Sequence, residues 1–214
     1  MYLKFRNLIF LTALLTSCSE REQPEKITNL AGANDTVLGS DSAQEATNPF
    51  FEESPLYLHY PQFDLIQNIH YLPAFERGMT VQLGEIAAIV NQVDQPSFQN
   101  TILALELSGQ LLDRVSRLFY AMASAHTSDG IRALEQQLAP QLASHQDNIL
   151  LNRDLFLRIE KLYGQRDNLE LDPEPKRLLE KYYIEFVRAG AALSLSEQRR
   201  MKQLNAQIAT LETL

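Results

Sequence analysis

An all-α fold follows from three features of the 214-residue sequence. Downstream of Asn48, apolar residues recur at steps of three and four, and no stretch alternates as a sheet strand would. Residues that cap helices stand at the starts of these stretches: Asn100, Ser128, Asn152, Asp172 and Ser194. Eight glycines and nine prolines are too few for a turn-rich β-sandwich.

The first helix is expected to carry Leu72, Phe75, Met79, Leu83, Ile86 and Val90 on one face. Pro73 then falls in its first turn, where a missing N–H is harmless. The helix should end near Asn91, before the loop at Asp94-Gln95-Pro96. A second opens at Asn100 and runs through Ile102, Leu105, Leu112, Val115, Phe119 and Met122. Its interior Gly109, about 1 kcal/mol worse than alanine in a helix, marks a close crossing. Ser128 caps a third helix carrying Ile131, Leu134, Leu138, Leu142 and Ile149, which Pro140 should kink or split.

Asn152 caps a shorter helix with Phe156, Ile159 and Leu162, stopped by Gly164. Asp172-Pro173 is a cap followed by a first-turn proline, opening Leu179, Tyr182, Phe186 and Ala189. Ser194 and Glu197 form a capping box ahead of Met201, Leu204, Ile208 and Leu211. That last stripe reaches Leu214 without a stop signal, so the chain is expected to be cut short of a complete domain. An apolar stripe left uncovered must fold back, self-associate or find a partner. No repeat period is evident, which disfavours a solenoid.

The beginning of the chain reads as an address. Lys4 and Arg6 precede the apolar run Leu8 to Leu15, which is shorter than the about 20 residues a membrane span needs. The run ends at Leu15-Thr16-Ser17-Cys18, which resembles the lipobox of bacterial lipoproteins. Residues 1–17 are therefore read as a signal peptide and Cys18 as the site of lipid attachment. Several acyl chains, at about 0.8 kcal/mol per buried methylene, hold a protein firmly to a membrane. Ser19 in place of an aspartate points to the outer membrane, facing the periplasm. Residues 18–47 are polar and lack apolar periodicity, as a flexible tether would. The folded part is expected to be 48–214.

Composition and motifs exclude much chemistry. Lysine and arginine total 19 against 27 aspartates and glutamates, and the net charge of -8 argues against a nucleic-acid partner. Cys18 is the single cysteine, so neither an intramolecular disulfide nor a paired-thiolate zinc site can form. None of His59, His70, His126 and His145 has a histidine four residues on, so the zinc motif H-E-x-x-H is absent. Nucleophile-elbow, phosphate-loop and dinucleotide fingerprints are absent too. Glu52-Glu53 reads as a solvated loop pair, His145 as a packed or half-exposed helix residue. Of Tyr182 and Tyr183, one should be core and the other surface. No catalytic, metal or substrate-binding residue is assigned.

One ordered set of short motifs remains. It begins with Asn48-Pro49 and Pro73-Ala74-Phe75-Glu76, and continues as Phe98-Gln99-Asn100-Thr101-Ile102 through Glu106-Leu107-Ser108-Gly109. Arg114-Val115, Leu134-Glu135, Pro140 and His145 come next, followed by Leu151-Asn152 with Leu155-Phe156 and Arg158. The set closes with Tyr163, Arg166, Leu171-Asp172-Pro173-Glu174 and Phe186-Val187-Arg188-Ala189-Gly190-Ala191. In order and spacing this resembles the start of the thimet-oligopeptidase family, nearest its bacterial peptidyl-dipeptidase branch.

The resemblance implies an all-helical clamshell around a narrow channel that admits short peptides, and zinc-dependent cleavage that releases C-terminal dipeptides. It also implies that the zinc ligands lie in a region with no counterpart in this chain, which would then be inert unless a separate catalytic segment joined it. A lipid-anchored helical module that binds peptides or proteins without catalysis is the alternative.

Overall fold

The computed structural model describes residues 48–213. The expected signal peptide, Cys18, the expected tether and Leu214 lie outside the described residues. Among those described there is no strand, and helices account for the architecture, as the sequence predicts. Six are long: α1 (Asn68–Val90), α3 (Gln110–Ala125), α4 (Asp129–Leu150), α5 (Arg153–Gly164), α6 (Pro173–Ala189) and α7 (Leu195–Leu211). A π-helical turn at Phe98–Leu103 leads into the short α2 (Ala104–Leu107). None is long and apolar enough to cross a membrane.

Several starts are where local chemistry puts them. Ser128 Oγ accepts from the Ile131 N–H, Asn152 Oδ1 from the Leu155 N–H, and Ser194 and Glu197 close their capping box. Asp172 caps α6 with Pro173 in the first turn, though its side chain makes no capping hydrogen bond. The end of α6 is a Schellman motif: Gly190 N–H donates to Val187 O at 3.1 Å, and Ala191 N–H to Phe186 O at 3.0 Å.

Three expectations need correction. Pro73 is the sixth residue of α1, not part of its first turn, because the helix starts at Asn68 behind a Gln67–His70 capping box. Its missing donor leaves only the Ile69 carbonyl short of a partner, on a residue 58% exposed, where water can replace it. Asn100 is not the cap of the second helix; Ser97 is, and Asn100 answers it by accepting from the Ser97 N–H at 2.8 Å. The long helix expected across Gly109 is two helices, since Ser108 turns extended and Gly109 adopts a left-handed φ of 71°. Pro140 is accommodated inside α4, which it does not split.

Packing divides the apolar interior in two. One core joins Tyr71, Ala74 and Phe75 of α1 to Val115 and Phe119 of α3 and Leu138 of α4, with Phe50 closing it. The other joins Ile86 and Ile89 of α1 to Ile102, Leu105, Ile159, Leu179 and Phe186. Helix α1 therefore passes through both, and α4 bridges them with Leu138 in one and Ile149 in the other.

Helix α7 belongs to neither core. Its one buried residue is Gln198, whose Nε2 donates to the Ala191 carbonyl at 3.1 Å. It docks on α4 through polar pairs: Lys202 Nζ to Asn148 Oδ1 at 3.0 Å and Asn205 Nδ2 to Asp147 Oδ1 at 2.7 Å.

Candidate functional site

The place where polar chemistry is buried is the seam between the two cores. Gln82, halfway along α1, is 3% exposed, and His145 on α4 is 5% exposed. His145 Nε2 donates to Gln82 Oε1 at 2.7 Å, so that ring nitrogen carries the proton. Gln82 Nε2 lies 3.5 Å from Ser108 Oγ, which donates to the Leu105 carbonyl at 2.7 Å. The chain of donors runs in one direction from α4 through α1 to the end of α2. Glu85, one turn on from Gln82, accepts the Gly109 N–H at 2.7 Å. The break between α2 and α3 is thus fastened to α1 at two adjacent points.

His145 also borders a groove of about 430 Å³ between α1 and α4, lined by Met79, Leu83, Pro140, Gln141, Ser144 and Asn148. Its walls are largely apolar, and it is open to solvent. Such a surface can cradle an apolar side chain, but it brings no nucleophile, acid or base together.

The remaining histidines are scattered. His59 and His126 are exposed, and His70 Nδ1 accepts the Gln67 N–H at 3.0 Å as part of the α1 cap. No group of three or more His, Cys, Asp or Glu side chains that could hold a metal ion occurs among the described residues. These residues do not fit a zinc centre.

Glu52 and Glu53 are exposed, as the sequence predicts, with Glu53 Oε1 3.8 Å from His59 Nδ1. Tyr182 is buried and its hydroxyl donates to Glu106 at 2.5 Å. Tyr183 is not free surface: it stacks on Tyr163 at 3.8 Å, and the Arg166 guanidinium covers the Tyr163 ring at 4.4 Å. Among the described residues Asp147 is the one buried carboxylate, 7% exposed. Burial pushes its carboxyl above the usual range, against the opposing pull of the Asn205 hydrogen bond and the Lys202 charge.

Over 164 residues, 77% of its length, the chain is 45% identical to the dipeptidyl carboxypeptidase of Escherichia coli (strain K12). Over that stretch the chain is a homologue of the peptidyl-dipeptidases. The dipeptidyl carboxypeptidase of Salmonella typhimurium is 43% identical over 166 residues. A human protein, mitochondrial intermediate peptidase, is 26% identical over 119 residues, 55% of this chain and 16% of its own length. No family model matches. The aligned part is 24% of either bacterial protein, so the chain spans about a quarter of the length of these relatives.

Within the described residues, the motif residues do structural work. Asn100 completes the Ser97 box, Ser108-Gly109 forms the break, and Gly190 closes the Schellman ending. Arg158 Nη2 donates to Asn100 Oδ1 at 3.0 Å, and Nη1 reaches the carbonyls of Gln92 at 3.3 Å and Asp94 at 3.4 Å. Sequence reasoning missed Gln82 altogether. The one available sign was a glutamine in line with buried apolar neighbours, three residues before Glu85 and four before Ile86.

Proposed function

We propose that this chain is the N-terminal channel-wall part of a zinc-dependent peptidyl-dipeptidase or oligopeptidase acting on short peptides. The observation that carries the reading is the 45% identity over 164 residues to the E. coli dipeptidyl carboxypeptidase. An all-helical part held by buried packing and caps is consistent with a rigid wall. The chemistry falls to polypeptide outside these 214 residues, because the sequence has no H-E-x-x-H. A bound zinc would supply an activated water. No group of side chains among the described residues is placed to hold it, and on this reading the chain alone is inert.

The test compares the purified chain with and without a polypeptide covering the rest of the E. coli protein, in the presence of zinc. Release of C-terminal dipeptides is expected only in the mixture; hydrolysis by the chain alone would overturn the reading. A second reading is a lipid-anchored helical module that binds peptides or proteins without catalysis. It is favoured by the exposed apolar residues of α7, and it calls for complex formation without hydrolysis.

We also propose that Cys18 carries the lipid and holds the protein in the cell envelope, at the outer membrane facing the periplasm. Cys18→Ala should leave the protein soluble or unprocessed; unchanged membrane fractionation would count against the anchor.

A further inference from the structure

Helix α7 is fastened to the fold differently from the other long helices. None of its residues belongs to either apolar core. Met201, Ala206 and Ala209 are half-buried, while Leu204 and Ile208 are exposed. An element that buries little apolar surface opens locally at a lower cost than the cores do. The named contacts that hold α7 are polar. Near its start Gln198 Nε2 donates to the Ala191 carbonyl at 3.1 Å, in its middle Lys202 and Asn205 bind Asn148 and Asp147, and just past its end Gln136 Nε2 donates to the Thr213 carbonyl at 3.0 Å.

Asp147 is the member of this set that can change charge inside the contact. Its Oδ1 accepts from a neutral amide, Asn205 Nδ2 at 2.7 Å, and the side chain is 7% exposed. A carboxylate withdrawn from water and met by an amide is compensated only in part. The charge that acts on it is Lys202 of α7, whose Nζ is tied to Asn148. The α4 neighbours that bind α7, Gln136 and Asn148, are uncharged. At the start of α7, Glu197 is held below its ordinary 4.5 by the Ser194 hydroxyl and N–H, and Glu212 beyond the last turn is exposed. Undocking α7 would return Asp147 to water.

We propose that the contact between α4 and α7 is a clasp that acidity tightens: with Asp147 neutral α7 stays docked, and with Asp147 ionised α7 opens more often while both cores stay folded. This does not depend on the function proposed above. Docked, the carboxyl titrates above its ordinary 3.8 because it is buried, so the docked state binds the proton more tightly than the open one. The fastening is complete below 3.8 and is lost as pH rises through the docked value. Lys202 moderates the effect, since its charge favours the ionised form. Glu197 acts in the opposite sense: its capping contribution is lost on acidification, below 4.5.

The test is amide hydrogen exchange on the full chain from about pH 4 to about pH 7, each rate divided by its intrinsic chemical rate. Protection across residues 198–211 should fall by about tenfold over this range, with α1 and α3 unchanged. In Asp147→Asn, which keeps an acceptor for Asn205 and shares Glu197 with the parent, the fall should vanish. In Lys202→Met the charge that favours the ionised carboxylate is gone, so the fall should be larger than in the parent. This variant decides the matter if Asp147→Asn loosens α7 at every pH. Flat protection of α7 in the parent overturns the clasp. So does an undiminished fall in Asp147→Asn, which assigns the dependence to another group, or an equal or smaller fall in Lys202→Met. An equal loss of protection in the cores overturns it as well, because α7 is then not released on its own.

Discussion

Gln82 and Gly109 are packed so closely that a Cβ on Gly109 would lie 2.4 Å from the Gln82 side-chain amide. One residue supplies the buried hydrogen-bonding group and the other supplies the room for it. Together they explain why the break between α2 and α3 carries a glycine. In the left-handed conformation at 109 any Cβ would enter the seam between the cores.

Gly109→Ala should therefore destabilise the domain twice over. A left-handed φ costs a non-glycine residue about 1–2 kcal/mol, and overpacking adds about 1–3 kcal/mol. A urea midpoint close to that of the unaltered chain would show that the break can move without loss.

Gln82→Leu tests the other half of the pair. It removes the acceptor of the His145 Nε2 proton, both side chains being buried, a change worth about 1–3 kcal/mol. The combined variant Gln82→Leu with His145→Leu should be less destabilised than the sum of the two single changes, because no donor is then stranded. Strict additivity in a double-mutant cycle would rule out the linkage.

Local signals were legible in the sequence and tertiary ones were not. Ser128, Asn152 and the Ser194–Glu197 box needed only their own turn of helix, so their roles could be read from spacing. Gly109 was read as a close approach inside one helix, and the approach is real. The partner in that approach is Gln82, 27 positions earlier, which no local window contains. Asn100 misled because it can cap, while the better-placed Ser97 stands three residues upstream. Of the expected apolar face of α1, Phe75 and Ile86 are fully buried and Leu72, Met79, Leu83 and Val90 pack half-buried beside the cores, while Gly78 and Gln82 of the buried line went unread because a glycine and a glutamine carry no hydrophobic signal. For the candidate site the sequence established mainly what chemistry is missing.

Asp147 makes stability depend on acidity. Its carboxyl titrates above the ordinary 3.8 because it is buried between α4 and α7. The folded state therefore holds this proton more tightly than the unfolded chain does. Its contribution is most favourable below 3.8 and is lost as pH rises through the folded value. Asp147→Asn keeps an acceptor for Asn205, removes the charge, and should gain on the parent protein as pH rises through that window. A constant difference in urea midpoint from acid to neutral pH would show that Asp147 is not the group responsible.

Arg158 ties the segment after α1 to α5, and the tie depends on the planar fork of the guanidinium. Its Nε donates to Thr101 Oγ1 at 3.3 Å, Nη1 serves two backbone carbonyls, and Nη2 reaches Asn100 Oδ1, which also accepts the Ser97 N–H. A lysine ammonium is a point donor and cannot span these four acceptors. Arg158→Lys should therefore behave much as Arg158→Met does, each losing about 1–3 kcal/mol for hydrogen bonds to a charged group. Amide exchange should quicken selectively from Gln92 to Asn100 in both, with the core of α3 and Phe119 unaffected. If Arg158→Lys instead exchanges like the parent protein, charge alone holds the segment and the fork is dispensable.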